Sequence, residues 1–159
     1  VYAPKGVPRV QIPLSPPLFI NVIFLDNNLE FIMNLKEAKE FCNNWLPAWT
    51  GNNPDKLINF YAKDSFYSDP TFKQGLRGHG EILPYFRKLL KNNPDWKWTD
   101  EEIIPNDKGF TLKWKAIIPV RQAEIIEFGM DIVEIVNNKI TRNEVYFDTL
   151  RLINAIQRK

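Results

Sequence analysis

The sequence has one cysteine, Cys42, and one histidine, His79, among 159 residues. A lone cysteine excludes an intrachain disulfide and a cysteine-based metal site. A lone histidine excludes a His-rich metal centre, and a Ser/His/Asp triad would have to use it. No metal, nucleotide or flavin motif is present, so no cofactor is expected and polar chemistry falls to carboxylates, Tyr and Trp. Dense Lys/Arg clusters are lacking as well: 21 basic and 19 acidic residues are scattered to a net charge of +2. Nucleic acid is therefore not an expected partner. The apolar run Leu18 to Leu25 is too short to span a bilayer and is interrupted by Asn21, which excludes a transmembrane helix there. Lys5 and Arg9 precede it as in a secretory signal, but no small-residue cleavage site follows. A cytoplasmic location is expected, with secretion left open.

What is there is globular: 44% apolar, 25% charged and 13% aromatic residues, the last high enough for an aromatic-lined interior. The length fits one domain with a substantial core. Residues 1–32 carry Pro4, Pro8, Pro13, Pro16 and Pro17, which forbid a helix and read as an extended arm or extension. The domain proper is expected over residues 33–159, opening at Met33.

Leu35, Ala38, Phe41, Cys42, Trp45, Leu46 and Trp49 recur at helical spacing behind Asn34, an N-cap residue type. Gly51 ends that helix, and Asn53-Pro54 opens a short second one to about Tyr61. Asp64 to Asp69 alternates polar and aromatic residues up to Pro70, a short strand. Ile82, Leu83, Phe86, Leu89 and Leu90 form a third helical face, with Pro84 expected in its first turn. Four more strands follow, about Lys97 to Ile104, Gly109 to Ile118, Glu124 to Val136 and Lys139 to Phe147, with Asn137-Asn138 as a hairpin signal. Helices first and strands last predict an α+β domain with antiparallel pairing.

Tyr61-Ala62-Lys63-Asp64, Tyr67-Ser68-Asp69-Pro70, Gly78 and the helix from Glu81 resemble the front half of the ketosteroid isomerase and SnoaL-like superfamily. Gly129-Met130-Asp131, Asn138-Lys139-Ile140-Thr141 and Tyr146-Phe147-Asp148 resemble its back half, so the resemblance spans about residues 35–155. It implies a conical, cystatin-like fold: three N-terminal helices on a strongly curved antiparallel sheet, a short C-terminal helix and an internal apolar pocket. It also implies a homodimer through the sheet. The strand Glu124 to Val136, apolar on both faces, independently calls for a covered outer face.

The resemblance places Asp69 where isomerases of this kind carry the proton-shuttling carboxylate, and Asp131 near their oxyanion-stabilising acid. Asp131 lies among Met130, Ile132 and Val133, so burial is expected to raise its pKa. Trp45 stands where that family has its oxyanion tyrosine; an indole N–H donates one hydrogen bond but lacks a phenol's acidity. His79 is a candidate acid or base, or a loop or capping histidine between two glycines. Trp45, Trp49, Tyr67, Trp114, Tyr146 and Asp148 complete the expected ligand-binding set. Tyr67 shares a strand face with Asp69, and Asp148 doubles as a helix cap.

Two readings stay open at this level. One is a cofactor-independent isomerase, cyclase or dehydratase working by carboxylate proton transfer on a small hydrophobic molecule. The other is a dimeric module that binds such a molecule, or a protein, without reaction.

Overall fold

The structure, a computed structural model, describes residues 33–157. The proline-rich segment 1–32 lies outside them. Helix α1 (Leu35–Trp45) starts at Asn34, whose side chain accepts from the Glu37 N–H while Glu37 accepts from the Asn34 N–H. This reciprocal capping box is the device the N-cap residue type predicts. Ala38, Phe41, Cys42 and Trp45 form the buried face of α1, which runs into a 3-10 turn at Leu46–Trp49. Asn53 caps the short α2 (Pro54–Ile58).

Tyr61 does not end α2 but opens strand β1 (Tyr61–Ser68), three residues earlier than the polar and aromatic alternation implies. A short β2 (Leu76–Arg77) then pairs with it, and α3 (Gly78–Asn92) follows. Gly78-His79-Gly80 is thus the first turn of α3 and not a loop. Two contacts secure that turn: Glu81 accepts from the Arg77 N–H at 2.7 Å, and His79 Nε2–H donates to the Tyr61 carbonyl at 3.0 Å. Pro84 consequently lies one turn deeper than expected, where it removes one helical N–H.

Strands β3 (Lys97–Asn106), β4 (Gly109–Val120), β5 (Ala123–Val136) and β6 (Lys139–Phe147) form an antiparallel meander, and α4 (Leu150–Gln157) closes the described chain. The β5–β6 turn sits at Asn137 and Asn138, with φ of 51° and 59°, the left-handed pair a tight hairpin needs. The sheet order is β2-β1-β6-β5-β4-β3, and β1 pairs parallel to β6. That parallel pair is the one departure from the antiparallel expectation; β6 returns to β1 only after the chain has passed through α3, β3, β4 and β5.

The curved, unclosed sheet and its helices make the α+β domain that the element order predicts, in the conical form that the resemblance implies. Trp45, Phe86, Phe110 and Leu112 fill the space between helices and inner sheet face, each at most 0% exposed. Cys42 is buried among them with its thiol pushed up to about 12, chiefly by burial, which makes it an inert core filler. Among the described residues no helix is long and apolar enough to cross a membrane.

Candidate functional site

A cavity of about 390 Å³ lies between the 3-10 turn, the end of β1, α3, α4 and the inner sheet face. Its size falls in the range of small-molecule sites. Six of the rings lining it form a continuous belt. Phe147 packs on Trp114 at 5.6 Å between centroids, Trp114 on Trp98 at 5.0 Å and Trp98 on Trp49 at 6.3 Å. Trp49 meets Tyr67 at 6.1 Å, and Tyr67 meets Tyr85 at 5.8 Å. A larger, more polar recess of about 1180 Å³ beside α1 and the β5–β6 turn holds none of the expected site residues.

Asp69 stands at the Tyr85 end of this belt, just past β1, and is 8% exposed. Its Oδ1 accepts from the Thr71 and Phe72 N–H groups at 2.8 and 3.0 Å, the turn that an Asp-Pro dipeptide favours. Its Oδ2 accepts from the Tyr67 hydroxyl at 3.1 Å and from the Tyr85 hydroxyl. Four donors therefore hold this carboxylate. Both phenols are pushed above the ordinary tyrosine value, first by burial and then by the adjoining Asp69, so they remain neutral donors.

Asp131 stands at the other end, on β5, and is 5% exposed. Its Oδ1 accepts from Trp114 Nε1–H at 2.8 Å and its Oδ2 from Asn143 Nδ2–H at 3.0 Å. Burial pushes its pKa from the ordinary 3.8 to about 6; the Asn143 and Trp114 hydrogen bonds hold it back, and the charge of Asp69 adds to the rise. Among the described residues neither aspartate forms an ion pair.

A missing side chain lets Trp114 reach Asp131. Gly129 pairs with Trp114 across β4 and β5, and a Cβ there would come within 2.2 Å of the indole Cζ2. The glycine of Gly129-Met130-Asp131 is the notch through which the ring passes.

Of the residues singled out in the sequence, the fold brings Asp69, Asp131, Trp49, Tyr67 and Trp114 to this one cavity. It does not bring His79, Trp45, Tyr146 or Asp148 there. His79 ties α3 to β1, away from the cavity lining. Trp45 is fully buried behind the lining, packed on Phe41, Trp49 and Phe110, and its N–H finds no partner among the described residues. Tyr146 is 53% exposed on the outer sheet face, where its hydroxyl donates to Glu144 at 2.7 Å. Asp148 accepts from the Leu150 N–H at 2.9 Å and so caps α4.

Four aromatic lining residues were missed: Tyr85, Trp96, Trp98 and Phe147. Their signals were present. Tyr85 sits one helical turn before Leu89, which also lines the cavity, and Trp96 and Trp98 are two apart where β3 begins, the spacing of one strand face.

A helix-backed, curved and unclosed sheet over an aromatic pocket defines a protein of the ketosteroid isomerase-like fold. The SnoaL-like domain model matches residues 43–143, well over half of the chain, and the chain belongs to that family. No match is found among curated proteins. Solved structures share the fold at low identity. A protein of ketosteroid isomerase-like fold from Catenulispora acidiphila, in complex with trimethylamine, is 19% identical over 69% of this chain and 85% of its own, with a TM-score of 0.61. A SnoaL-like protein of unknown function from Burkholderia thailandensis is 15% identical over 74% and 99%, with a TM-score of 0.63. An LEH-like epoxide hydrolase of M. tuberculosis is 15% identical over 77% and 91%, with a TM-score of 0.62.

Proposed function

We propose that this SnoaL-like domain holds a small, largely hydrophobic molecule in the aromatic cavity and exchanges a proton with it through Asp131, without metal or organic cofactor. The observation that carries this reading is one buried carboxylate facing an apolar cavity with a pKa raised to about 6. A carboxyl tuned to that range is a stronger base than an exposed aspartate and still ionises at neutral pH. Trp114 and Asn143 fix both of its oxygens, so it is oriented as well as tuned. Asp69, held by four donors, serves as the anchor that positions Tyr67 and Tyr85. The reaction class this supports is isomerisation, cyclisation or elimination beginning with removal of a carbon-bound proton.

The test is deuterium exchange into a panel of enolisable ketones in deuterated water. Exchange above the level of Asp131→Asn is expected; equal rates for the two proteins would sink the proton-transfer reading. The non-catalytic alternative draws on the same anchoring of Asp69, since a carboxylate with four donors is a structural element first. It is favoured if ligands bind but no panel member exchanges.

The proposal includes a homodimer through the outer sheet face. Ile126, Phe128, Met130 and Tyr146 stand 41% to 53% exposed there on adjacent strands, a cluster that a monomer would leave in water. Light scattering is expected to give twice the chain mass, and Phe128→Lys with Met130→Lys to give one chain mass.

A further inference from the structure

Ligand polarity can be read from what the cavity lining contains and omits. Two carboxylates, each more than nine-tenths buried, share the cavity, and no Lys, Arg or His lines it among the described residues. Among the described residues every group that hydrogen-bonds to them is a neutral donor: a peptide N–H, a phenol, an indole or a carboxamide. Neutral donors satisfy lone pairs but leave the charge uncompensated, and buried uncompensated charge is costly. The two charges also act on each other, since Asp69 adds to the rise in the Asp131 pKa. Between them runs the belt of aromatic rings, whose π faces carry partial negative charge. An anionic ligand would meet repulsion at both ends and along the wall. A neutral one would leave both carboxylates as they are.

We infer that the cavity takes a compact organic cation, an ammonium group carrying apolar substituents, seated in the aromatic belt between Asp69 and Asp131. This rests on the reading of the cavity as a ligand site and names the class of ligand. The rings supply cation–π attraction in a desolvated setting, where it is strongest, and cover the apolar substituents. The ammonium supplies the positive counter-charge that the described lining residues omit. Amino ketones then belong in the exchange panel described above.

The test compares two molecules of one shape, choline and 3,3-dimethylbutan-1-ol, which differ in a quaternary nitrogen against a quaternary carbon. Each is titrated into the full chain at neutral pH and followed by calorimetry and tryptophan fluorescence, with indole as a neutral aromatic probe of the cavity. Choline is expected to bind about tenfold or more tightly than the alcohol. Asp131→Asn, checked for folding by circular dichroism, is expected to reduce that preference severalfold. Equal or tighter binding of the alcohol overturns the cation inference and leaves the hydrophobic-pocket reading standing. Indole binding without choline binding has the same meaning. Failure of all three probes overturns both.

Discussion

The two ends of the aromatic belt treat the same functional group in opposite ways. At one end Asp69 accepts from two peptide N–H groups and two phenols. At the other Asp131 accepts from one indole and one carboxamide, among apolar neighbours. Donor supply differs because position differs: Asp69 lies in a turn, where free N–H groups are at hand, whereas Asp131 lies mid-strand, where neighbouring N–H groups are committed to the sheet. In the proposed reading the turn aspartate is an anchor and the strand aspartate the proton-exchanging group. Resemblance to isomerases suggests Asp69 as the base; the hydrogen bonds favour Asp131 for proton exchange.

The largest effect that would break this contrast is on exchange chemistry. Asp131→Asn is expected to lower ketone exchange by about 10²–10⁴-fold, and Asp69→Asn by no more than about tenfold. Matching losses would erase the distinction between the two ends.

Stability should move the opposite way at Asp131. Its folded-state pKa lies above the unfolded value, so its contribution favours the fold fully below about pH 4 and is lost as pH rises through about 6. The rise from 3.8 to about 6 corresponds to about 3 kcal/mol at neutral pH. Asp131→Asn is therefore expected to stabilise the protein by about 1–3 kcal/mol at pH 7.5, after the altered hydrogen bonds are allowed for. The Asn143 Oδ1, buried without a partner, can accept from the new amide once the Asn143 carboxamide turns over. Urea unfolding of both proteins at pH 4 and pH 7.5 reads this directly, and the gain should vanish at the lower pH.

Gly129→Ala comes next. The added methyl meets the Trp114 ring and the Tyr146 carbonyl, at 2.2 and 2.7 Å, so overpacking is expected to cost about 1–3 kcal/mol. It should also displace the indole from Asp131, visible as a shifted tryptophan emission. The smallest effect belongs to the anchored end: Tyr85→Phe removes one of four donors from Asp69 and is expected to cost about 1 kcal/mol in urea unfolding.

Most of the fold was legible because its signals are local. The spacing of Ala38, Phe41, Cys42 and Trp45, the cap at Asn34 and the Asn137-Asn138 turn each act within a few residues. The parallel seating of β1 against β6 was not, since pairing across most of the chain leaves no local trace. Nor was the start of α3, because two glycines mask a turn whose contacts come from Glu81 and Tyr61. At the site the raised pKa of Asp131 was readable from its apolar neighbours. Asp69's donors were only half readable: the turn N–H groups follow from Asp-Pro, but Tyr85 arrives from another element. Tyr146 and Asp148 were expected in the pocket, yet the motif that names them does not say which sheet face is inside, and β6 ends before Asp148.

The proton-exchange role of Asp131 is tested most directly by following its carboxyl carbon by NMR as pH is varied, with Asp131→Asn assigning the resonance. A titration midpoint near 6 is expected. A midpoint near the ordinary aspartate value of about 4 would contradict it.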